Sequence, residues 1–167
     1  MKVYAHFAIE NSIEFRWRTL LQFGDSWNTI GTVIMKNPGS ADPLLIDIPN
    51  EILSKLNQID NSYEWSEFSD DTTMRLIAKL FEEHYRCQLN GVIQIYNLFN
   101  IKDQNLDSAL NKLSDSCSSK CFTFEDDIQQ LHHPIYIGWG DLWKDIRLKS
   151  VAQKYFTSAV HICSDNW

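Results

Sequence analysis

Residues 32–42 read TVIMKNPGSAD, and the predicted fold is organised around this stretch. The short apolar, β-branched run with which it begins is typical of a buried strand. The run stops at Asn37, where asparagine, proline, glycine and serine follow one another, and all four residue types favour turns. In open α/β folds, ligands bind outside the carboxyl ends of the strands. The stretch therefore predicts a strand whose terminal turn lines a ligand pocket.

The composition predicts one folded, acidic domain that covers residues 1–167. A hydrophobic fraction of 44% and an aromatic fraction of 13% are typical of a globular chain and exclude a disordered one. The 15 Lys and Arg residues against 22 Asp and Glu residues leave a formal charge of −7. This balance excludes a broad electropositive surface, so long duplex nucleic acid is not an expected partner. A small nucleotide and a protein with a basic face both remain compatible with it.

The N-terminus and the cysteines predict a cytoplasmic protein. Residues 1–6, MKVYAH, lack the apolar core of a signal peptide, and no apolar run approaches the ~18 residues that cross a bilayer. We therefore expect no membrane partner and reduced thiols. Cys117 and Cys121 are spaced to lie one helical turn apart, and His133 is close in sequence. Without a second cysteine pair, the pattern favours half-buried thiols over a metal or thiol site, so no metal is expected.

The first 24 residues predict an antiparallel hairpin. Residues 2–9 and Ile13–Phe23 flank a turn, and apolar side chains alternate along the second strand. In this alternation Arg16 and Arg18 share the outward face of that strand. They are either solvated or, as a close arginine pair, available to a phosphate group.

Residues 43–70 predict an inserted segment of loop and short helix. The helix is expected to open at residues 49–50, and the remainder resembles a loop. Three aromatic residues lie in this loop: Tyr63, Trp65 and Phe68. They either form a lid that stacks on a flat ligand or pin the loop to the core.

Beyond the insertion, helical and strand-like segments alternate. Residues 70–73, DDTT, predict a helix start, and residues 92–99 predict a central parallel strand that is buried on both faces. This order predicts an α/β fold of three layers, with a mainly parallel central sheet, helices on both faces and the N-terminal hairpin preceding it. The later segments are helical pieces at 106–113 and 124–131, a buried strand at 134–140, a helix at 142–155 and a last strand at 157–163.

The carboxyl ends of parallel strands meet at one edge, and the residues predicted there suit the binding of a nucleobase. The Asn97 amide offers both a donor and an acceptor, the pattern that reads the edge of a base. Trp139, between two glycines, offers a flat stacking surface. The candidates at this edge are Asn37, Pro38, Gly39, Ser40, Asn97, Asn100, Gly138, Trp139, Gly140 and Asp141, followed by His161 or Ser164.

No common catalytic motif accompanies these residues. The chain lacks a Walker phosphate loop, a G-x-G-x-x-G loop, a G-x-S-x-G elbow and an H-E-x-x-H metal motif, and no cofactor is expected. Asp42 is the acid best placed to orient a water molecule or to hold a ribose hydroxyl. Its alternative role is that of a helix cap or a surface acid.

Four segments carry a resemblance: residues 37–42 (NPGSAD), 71–75 (DTTMR), 96–99 (YNLF) and 138–140 (GWG). Within residues 13–163 they resemble a family of uncharacterised bacterial, archaeal and phage proteins, domain-of-unknown-function family 1643. Its pattern runs N-P-S-x-A-D, D-x-T-x-R, N-L-F and W-G. The resemblance adds Phe99 to the candidate ligand-binding residues.

The same order is similar to that of the uracil-DNA glycosylase fold, in which G-x-N-P-G follows the first core strand and W-G precedes a helix. The resemblance implies that Asn37 matches the asparagine that positions the attacking water in mismatch-type members. It also implies that Asn97 matches the asparagine that reads the pyrimidine edge. The glycosylase His-Pro-Ser loop has no counterpart, since residues 161–164 read HICS.

Two functions of different classes follow from the sequence. The first is a pocket that binds a nucleobase-containing small molecule or a nucleotide, with or without hydrolysis of an N-glycosidic bond; Asn37 and Asp42 are its candidate catalytic residues. The second is a non-enzymatic interaction protein whose acidic surface or inserted segment binds a protein partner. Binding of a partner protein in a phage or defence system, including mimicry of the charge of DNA, is one form of this second function.

Overall fold

The computed structural model describes residues 1–116, 118–122, 125–141 and 145–164, which form six strands and five α-helices. None of the helices in these ranges is long and apolar enough to cross a bilayer. In chain order the elements are β1 (Lys2–Glu10), β2 (Ile13–Phe23), β3 (Thr29–Met35), α1 (Asn50–Ile59), β4 (Trp65–Phe68), α2 (Thr72–Tyr85), β5 (Gly91–Asn97), α3 (Leu106–Asp115), α4 (Glu125–Ile128), β6 (Ile135–Gly138) and α5 (Ile146–Ser164).

The strands form one mixed sheet in the order β4-β1-β2-β5-β3-β6. β1 pairs antiparallel with β2 and β4, and β2 pairs antiparallel with β5, whereas β3 pairs parallel with both β5 and β6. The α/β class and the N-terminal hairpin are confirmed, but the prediction of a mainly parallel sheet is wrong. The reason is that β2 pairs directly with β5, which places the hairpin within the sheet, and β4 then adds to its outer edge.

The sheet is covered on both faces, as predicted. Successive residues of a strand point to opposite faces; Val33 belongs to the core under α2, and Ile34 to the core under α3 and α5. Val92 and Tyr96 share the second face, and Leu56 of α1 packs against Val92 there. The molecule therefore has α2 on one face of the sheet and α1, α3 and α5 on the other.

The position and burial of the central strand are confirmed, but it is parallel only to β3 and antiparallel to β2, and the prediction of a C-terminal strand is wrong. All seven residues of β5 are buried. β6 lies at the sheet edge, where Tyr136 is 47% exposed, so the expectation of a buried strand there is wrong. The predicted strand at 157–163 belongs to α5, because Leu148, Ala152, Tyr155 and Ala159 recur at helical spacing on its buried side. Residues 161 and 164 consequently lie in a helix and not at a strand end.

A bulge in β2 redirects two arginines. Arg18 has a φ of +48°, and the register of β2 against β1 slips between Tyr4 and His6. The alternation predicted along β2 therefore fails at this point. Arg16 and Arg18 are only 2% and 3% exposed, and they lie on opposite faces of the sheet. Neither is the solvated side chain that regular alternation predicts.

The inserted segment is more ordered than predicted. Its helix, α1, begins at Asn50 as expected, but residues predicted as loop form β4, which pairs with β1. Trp65 and Phe68 of β4 are 7% and 2% exposed. Tyr63 is partly exposed, and its ring lies 5.0 Å from that of Trp17. The interpretation that these aromatics pin the segment to the core is confirmed for Trp65 and Phe68.

Candidate functional site

A cavity of about 320 Å³ lies at the carboxyl ends of β3, β5 and β6. The parallel register places Met35 beside Asn97 on one side and beside Gly138 on the other, so three strand ends are adjacent. Several candidates from the sequence line this cavity together: Asn37, Pro38, Gly39, Asn97, Gly138, Trp139 and Gly140. The sequence therefore located the cavity, while the roles of its residues stay predictions.

The turn after β3 forms one wall of the cavity. The N–H of Leu98 donates to the carbonyl of Met35 over 3.0 Å, which ties the turn to the chain that leaves β5. Asn37 Nδ2 donates to the carbonyl of Asp103 over 3.3 Å. This bond orients the Asn37 amide at the edge of the cavity.

Asp103, the partner of Asn37, is itself held in place. Its carboxylate accepts hydrogen bonds from Lys112 Nζ and Ser108 Oγ, both at 2.7 Å, and from the N–H of Asn105 at 2.8 Å. These contacts, with that of Lys112 the strongest, lower the pKa of Asp103 to about 2. The charged form is therefore stable at neutral pH, and the start of α3 supports the turn that carries Asn37.

The N-terminus of α2 forms a second wall. Asp71 caps the helix, since its Oδ1 accepts from the N–H of Met74 over 2.8 Å. Gly39, with a φ of +72°, lies against this cap, and a Cβ added there would be 3.5 Å from Asp71 Oδ2. Asp71 and Thr73 both line the cavity. The positive end of a helix and one carboxylate thus face the same space.

Asn97 and Trp139 give the cavity its recognition chemistry. Asn97 ends β5 and is 3% exposed, and Trp139 follows β6 and is half-buried. An amide can donate and accept at once, and an indole offers a broad π surface. The two strands that carry them are separated by β3, and the two side chains line the same cavity, so together they suit a flat heterocycle that carries its own donors and acceptors.

Arg16 and Thr19 reach the cavity from β2, and sequence reasoning did not place them there. Burial lowers the pKa of Arg16 to about 10, while the charges of Asp71 and Asp42 oppose this shift. The guanidinium remains protonated at neutral pH. The only signal in the sequence was the proximity of Arg16 to Arg18, which indicated a phosphate as one alternative.

A second cavity, of about 440 Å³, lies on the other face around Arg18. Arg18 Nη1 donates to Asp127 Oδ1 over 2.6 Å, Nη2 donates to Gln130, and Nε lies 3.3 Å from Asp60 Oδ2. Burial opposes the ionisation of Asp60, but contacts with His6 and Ser62 and the charge of Arg18 lower its pKa. Burial raises the pKa of Asp127. Arg18 is thus neutralised within the protein, which indicates a structural role.

Several candidates from the sequence do not line the first cavity: Ser40, Asp42, Phe99, Asn100 and Asp141, besides residues 161 and 164 in α5. The carboxylate of Asp42 is 77% exposed and accepts from Lys102 Nζ over 2.7 Å. Phe99 is fully buried in the core under α3 and α5, and Ser40 lies beyond the lining part of the turn. Asn100 also has a structural position, since its Nδ2 donates to two carbonyl groups near residues 120–122.

The thiol hypothesis receives no support from the described residues. Cys117 lies outside them, and Cys121 is 3% exposed within the core. In residues 1–116, 118–122, 125–141 and 145–164 there is no group of three His, Cys, Asp or Glu side chains that could hold a metal ion.

Comparison of the chain with protein-family models gave no match, and comparisons with curated proteins and with solved structures gave no significant match. The functional interpretation therefore rests on the geometry of the cavity and on the chemistry of its lining residues.

Proposed function

We propose that the cavity at the ends of β3, β5 and β6 binds a nucleobase or a nucleotide. The observation that carries this proposal is that Asn37, Asn97 and Trp139, which follow or end three different strands, line one cavity of about 320 Å³. Small-molecule pockets typically have volumes of roughly 300–1,000 Å³. The Asn97 amide would read the polar edge of a base, and the Trp139 ring would stack on its face.

The resemblances found in the sequence belong to this proposal. A uracil-DNA glycosylase-like fold would place the water-positioning asparagine at Asn37 and the base-reading asparagine at Asn97, whereas family 1643 consists of uncharacterised proteins and implies no ligand. A fold alone does not define an activity, so the chemistry of the site has to carry the functional argument.

Hydrolysis of an N-glycosidic bond is the reaction that this arrangement would support. A water molecule held by Asn37 would attack the anomeric carbon, and the bond to the base would break. The base would leave with the bonding electron pair and take up the proton that the water loses, so the products would be the free base and a sugar with a hydroxyl group at the anomeric carbon. Asp71, which lines the cavity, takes over from the exposed Asp42 as the acid that orients the water.

A thermal-shift screen of nucleobases, nucleosides and nucleotides tests the proposal. A ligand present at about 100 times its Kd should raise the Tm by about 5–10 °C. Asn97→Ala should remove the shift, whereas Asn111→Ala, at an exposed position of α3, should keep it. Chromatography of the same mixtures would detect a released base.

If no compound changes the Tm, or if Asn97→Ala responds like the wild type, the binding proposal is wrong. If binding depends on Asn97 but no base is released, only the hydrolytic part fails.

A second function, binding of a protein partner without catalysis, is favoured by one feature of the inserted segment. Leu44, Leu45 and Ile46 are consecutive, and they are 42%, 92% and 54% exposed. Contiguous exposed apolar side chains often mark interaction surfaces. The absence of any nucleobase-dependent shift, together with protein association that Leu45→Asp abolishes, would favour this function over the first.

A further inference from the structure

Arg16 has unused hydrogen-bonding capacity at the cavity. Its Nη1 donates to the carbonyl of Ala41 over 3.2 Å, and its guanidinium carbon lies 5.4 Å from the centre of the Phe68 ring. Its Nε is buried and has no hydrogen-bond partner among the described residues. Arg16 also forms no ion pair in that part of the chain. A side chain with five N–H donors therefore makes one hydrogen bond within the described part of the chain.

A comparison with Arg18 indicates that burial of the Arg16 charge is energetically unfavourable. Both arginines are almost completely buried, but Arg18 has Asp60 and Asp127 as partners, and Arg16 has neither. A buried charge without a paired charge is unfavourable, since it loses its hydration without replacement. The charges of Asp71 and Asp42 act on Arg16 through space, but neither carboxylate forms an ion pair with it among the described residues. An anion entering the cavity would supply the missing partner.

Other groups near Arg16 also suit an anion. Thr19 Oγ1 is buried beside it in the cavity and has no hydrogen-bond partner among the described residues. The first turn of α2, at Thr73, faces the same space, and helix N-termini favour negative groups. A phosphate could accept from the guanidinium, the hydroxyl and the first-turn amides together.

The position of Arg16 relative to Trp139 indicates the size of the ligand. The strands β2, β5, β3 and β6 are consecutive neighbours, so the backbone positions of Arg16 and Trp139 lie on the two outer strands of this group and that of Asn97 lies on a strand between them. Three strand spacings separate β2 from β6, a backbone distance of about 14 Å. A ligand that reaches both ends has a flat ring at one end and an anionic group at the other.

We infer that Arg16 binds the phosphate of a nucleotide, and that the site selects nucleoside 5′-monophosphates over nucleosides and free bases. This inference rests on the proposed function, since it assigns the anionic end of the same ligand. Arg16 acts as a specificity-determining residue, and Thr19 assists it.

The test compares calorimetric affinities of the full-length protein for uridine, cytidine, adenosine and guanosine with those for their 5′-monophosphates. Arg16→Met keeps the length of the side chain and removes its charge. Lys79→Met removes one positive charge from an exposed position of α2 outside the cavity and serves as the matched control. Tm measurements on both variants confirm that they are folded.

The wild type and Lys79→Met should bind a monophosphate at least tenfold more tightly than its nucleoside. Arg16→Met should lose about tenfold or more in monophosphate affinity and keep its nucleoside affinity, since charge-assisted hydrogen bonds to a phosphate are lost. Equal affinities for the two ligand classes, or a preference that Arg16→Met retains, would overturn the inference and leave the proposed function intact. Failure of every nucleoside and nucleotide to bind would overturn both.

Discussion

Arg16 and Arg18 are separated by one residue in β2 but have different electrostatic surroundings. Arg18 lies between Asp60 and Asp127 on one face of the sheet, whereas Arg16 lies in the cavity on the other face without an ion pair among the described residues. The bulge at Arg18 produces this difference, because it leaves the Arg18 side chain on the same face as that of Trp17 and not on the face of Arg16. Arg18 therefore serves stability, and Arg16 is available for binding.

This difference predicts opposite effects of the same substitution on stability. Arg18→Met should lower the free energy of unfolding by about 3–5 kcal/mol, because Asp60 and Asp127 would lose their buried cation. Arg16→Met should change it by less than about 1 kcal/mol or raise it, since a buried guanidinium without an ion pair is replaced by an apolar chain. Urea denaturation of both variants measures these values. Equal losses in the two variants would contradict the assignment of roles.

The sequence predicts the positions of side chains at regular strand ends, but it does not predict the positions of side chains displaced by a bulge. Asn37, Asn97 and Trp139 follow or end strands, so the ordinary alternation and turn rules bring them together. Arg16 and Arg18 have the same residue type and nearly the same sequence context. Whether each is solvated, paired or in the cavity depends on the φ of one residue, which no local pattern indicates.

The element that most directly shapes the cavity, besides the turn after β3, is the first turn of α2. Asp71 caps this helix, and its carboxylate also faces the cavity beside Gly39. The negative charge of Asp71 acts on Arg16 through space and would repel an incoming phosphate. Asparagine is as good a helix cap as aspartate, so a substitution by asparagine removes the negative charge of Asp71 and keeps the capping hydrogen bond.

Two substitutions at Asp71 distinguish these contributions. Asp71→Asn should leave the Tm nearly unchanged and strengthen the binding of a nucleoside monophosphate several-fold, because a negative charge leaves the site. Asp71→Ala should lower the free energy of unfolding by about 0.5–2 kcal/mol, because the N–H of Met74 loses its acceptor. Calorimetric titration and thermal denaturation provide the two measurements. Weaker phosphate binding by Asp71→Asn would indicate that Asp71 contacts the ligand favourably.

At the element scale, strong periodicity predicted the structure and weak periodicity did not. The hairpin, α1, α2 and β5 have clear apolar spacing or clear caps, and all four are confirmed. β4 is only four residues long and is defined by its pairing with β1, which is a long-range contact. The end of α5 has a β-like composition, but its buried residues recur at helical intervals.

For the whole molecule, the mixed sheet joins two halves at β5. The antiparallel half, with β1, β2 and β4, contributes Arg16 and Thr19 to the cavity. The parallel half, with β3 and β6, contributes Asn37 and Trp139, and Asn97 lies on β5 between them. The mainly parallel sheet predicted from the sequence accounts for Asn37, Asn97 and Trp139 at the site. It does not account for Arg16, because in that prediction the hairpin is separate from the site.

We propose that one nucleotide occupies the cavity from Arg16 to Trp139. The most direct test is a ¹⁵N-resolved NMR titration of the labelled full-length protein with nucleoside 5′-monophosphates. It follows the side-chain resonances of Asn97 (amide), Arg16 (Nε–H) and Trp139 (indole N–H). If one nucleotide contacts all three residues, the three resonances should shift together and yield one Kd. Shifts confined to residues around Arg18 and Asp60 on the opposite face, or no shifts at all, would contradict it.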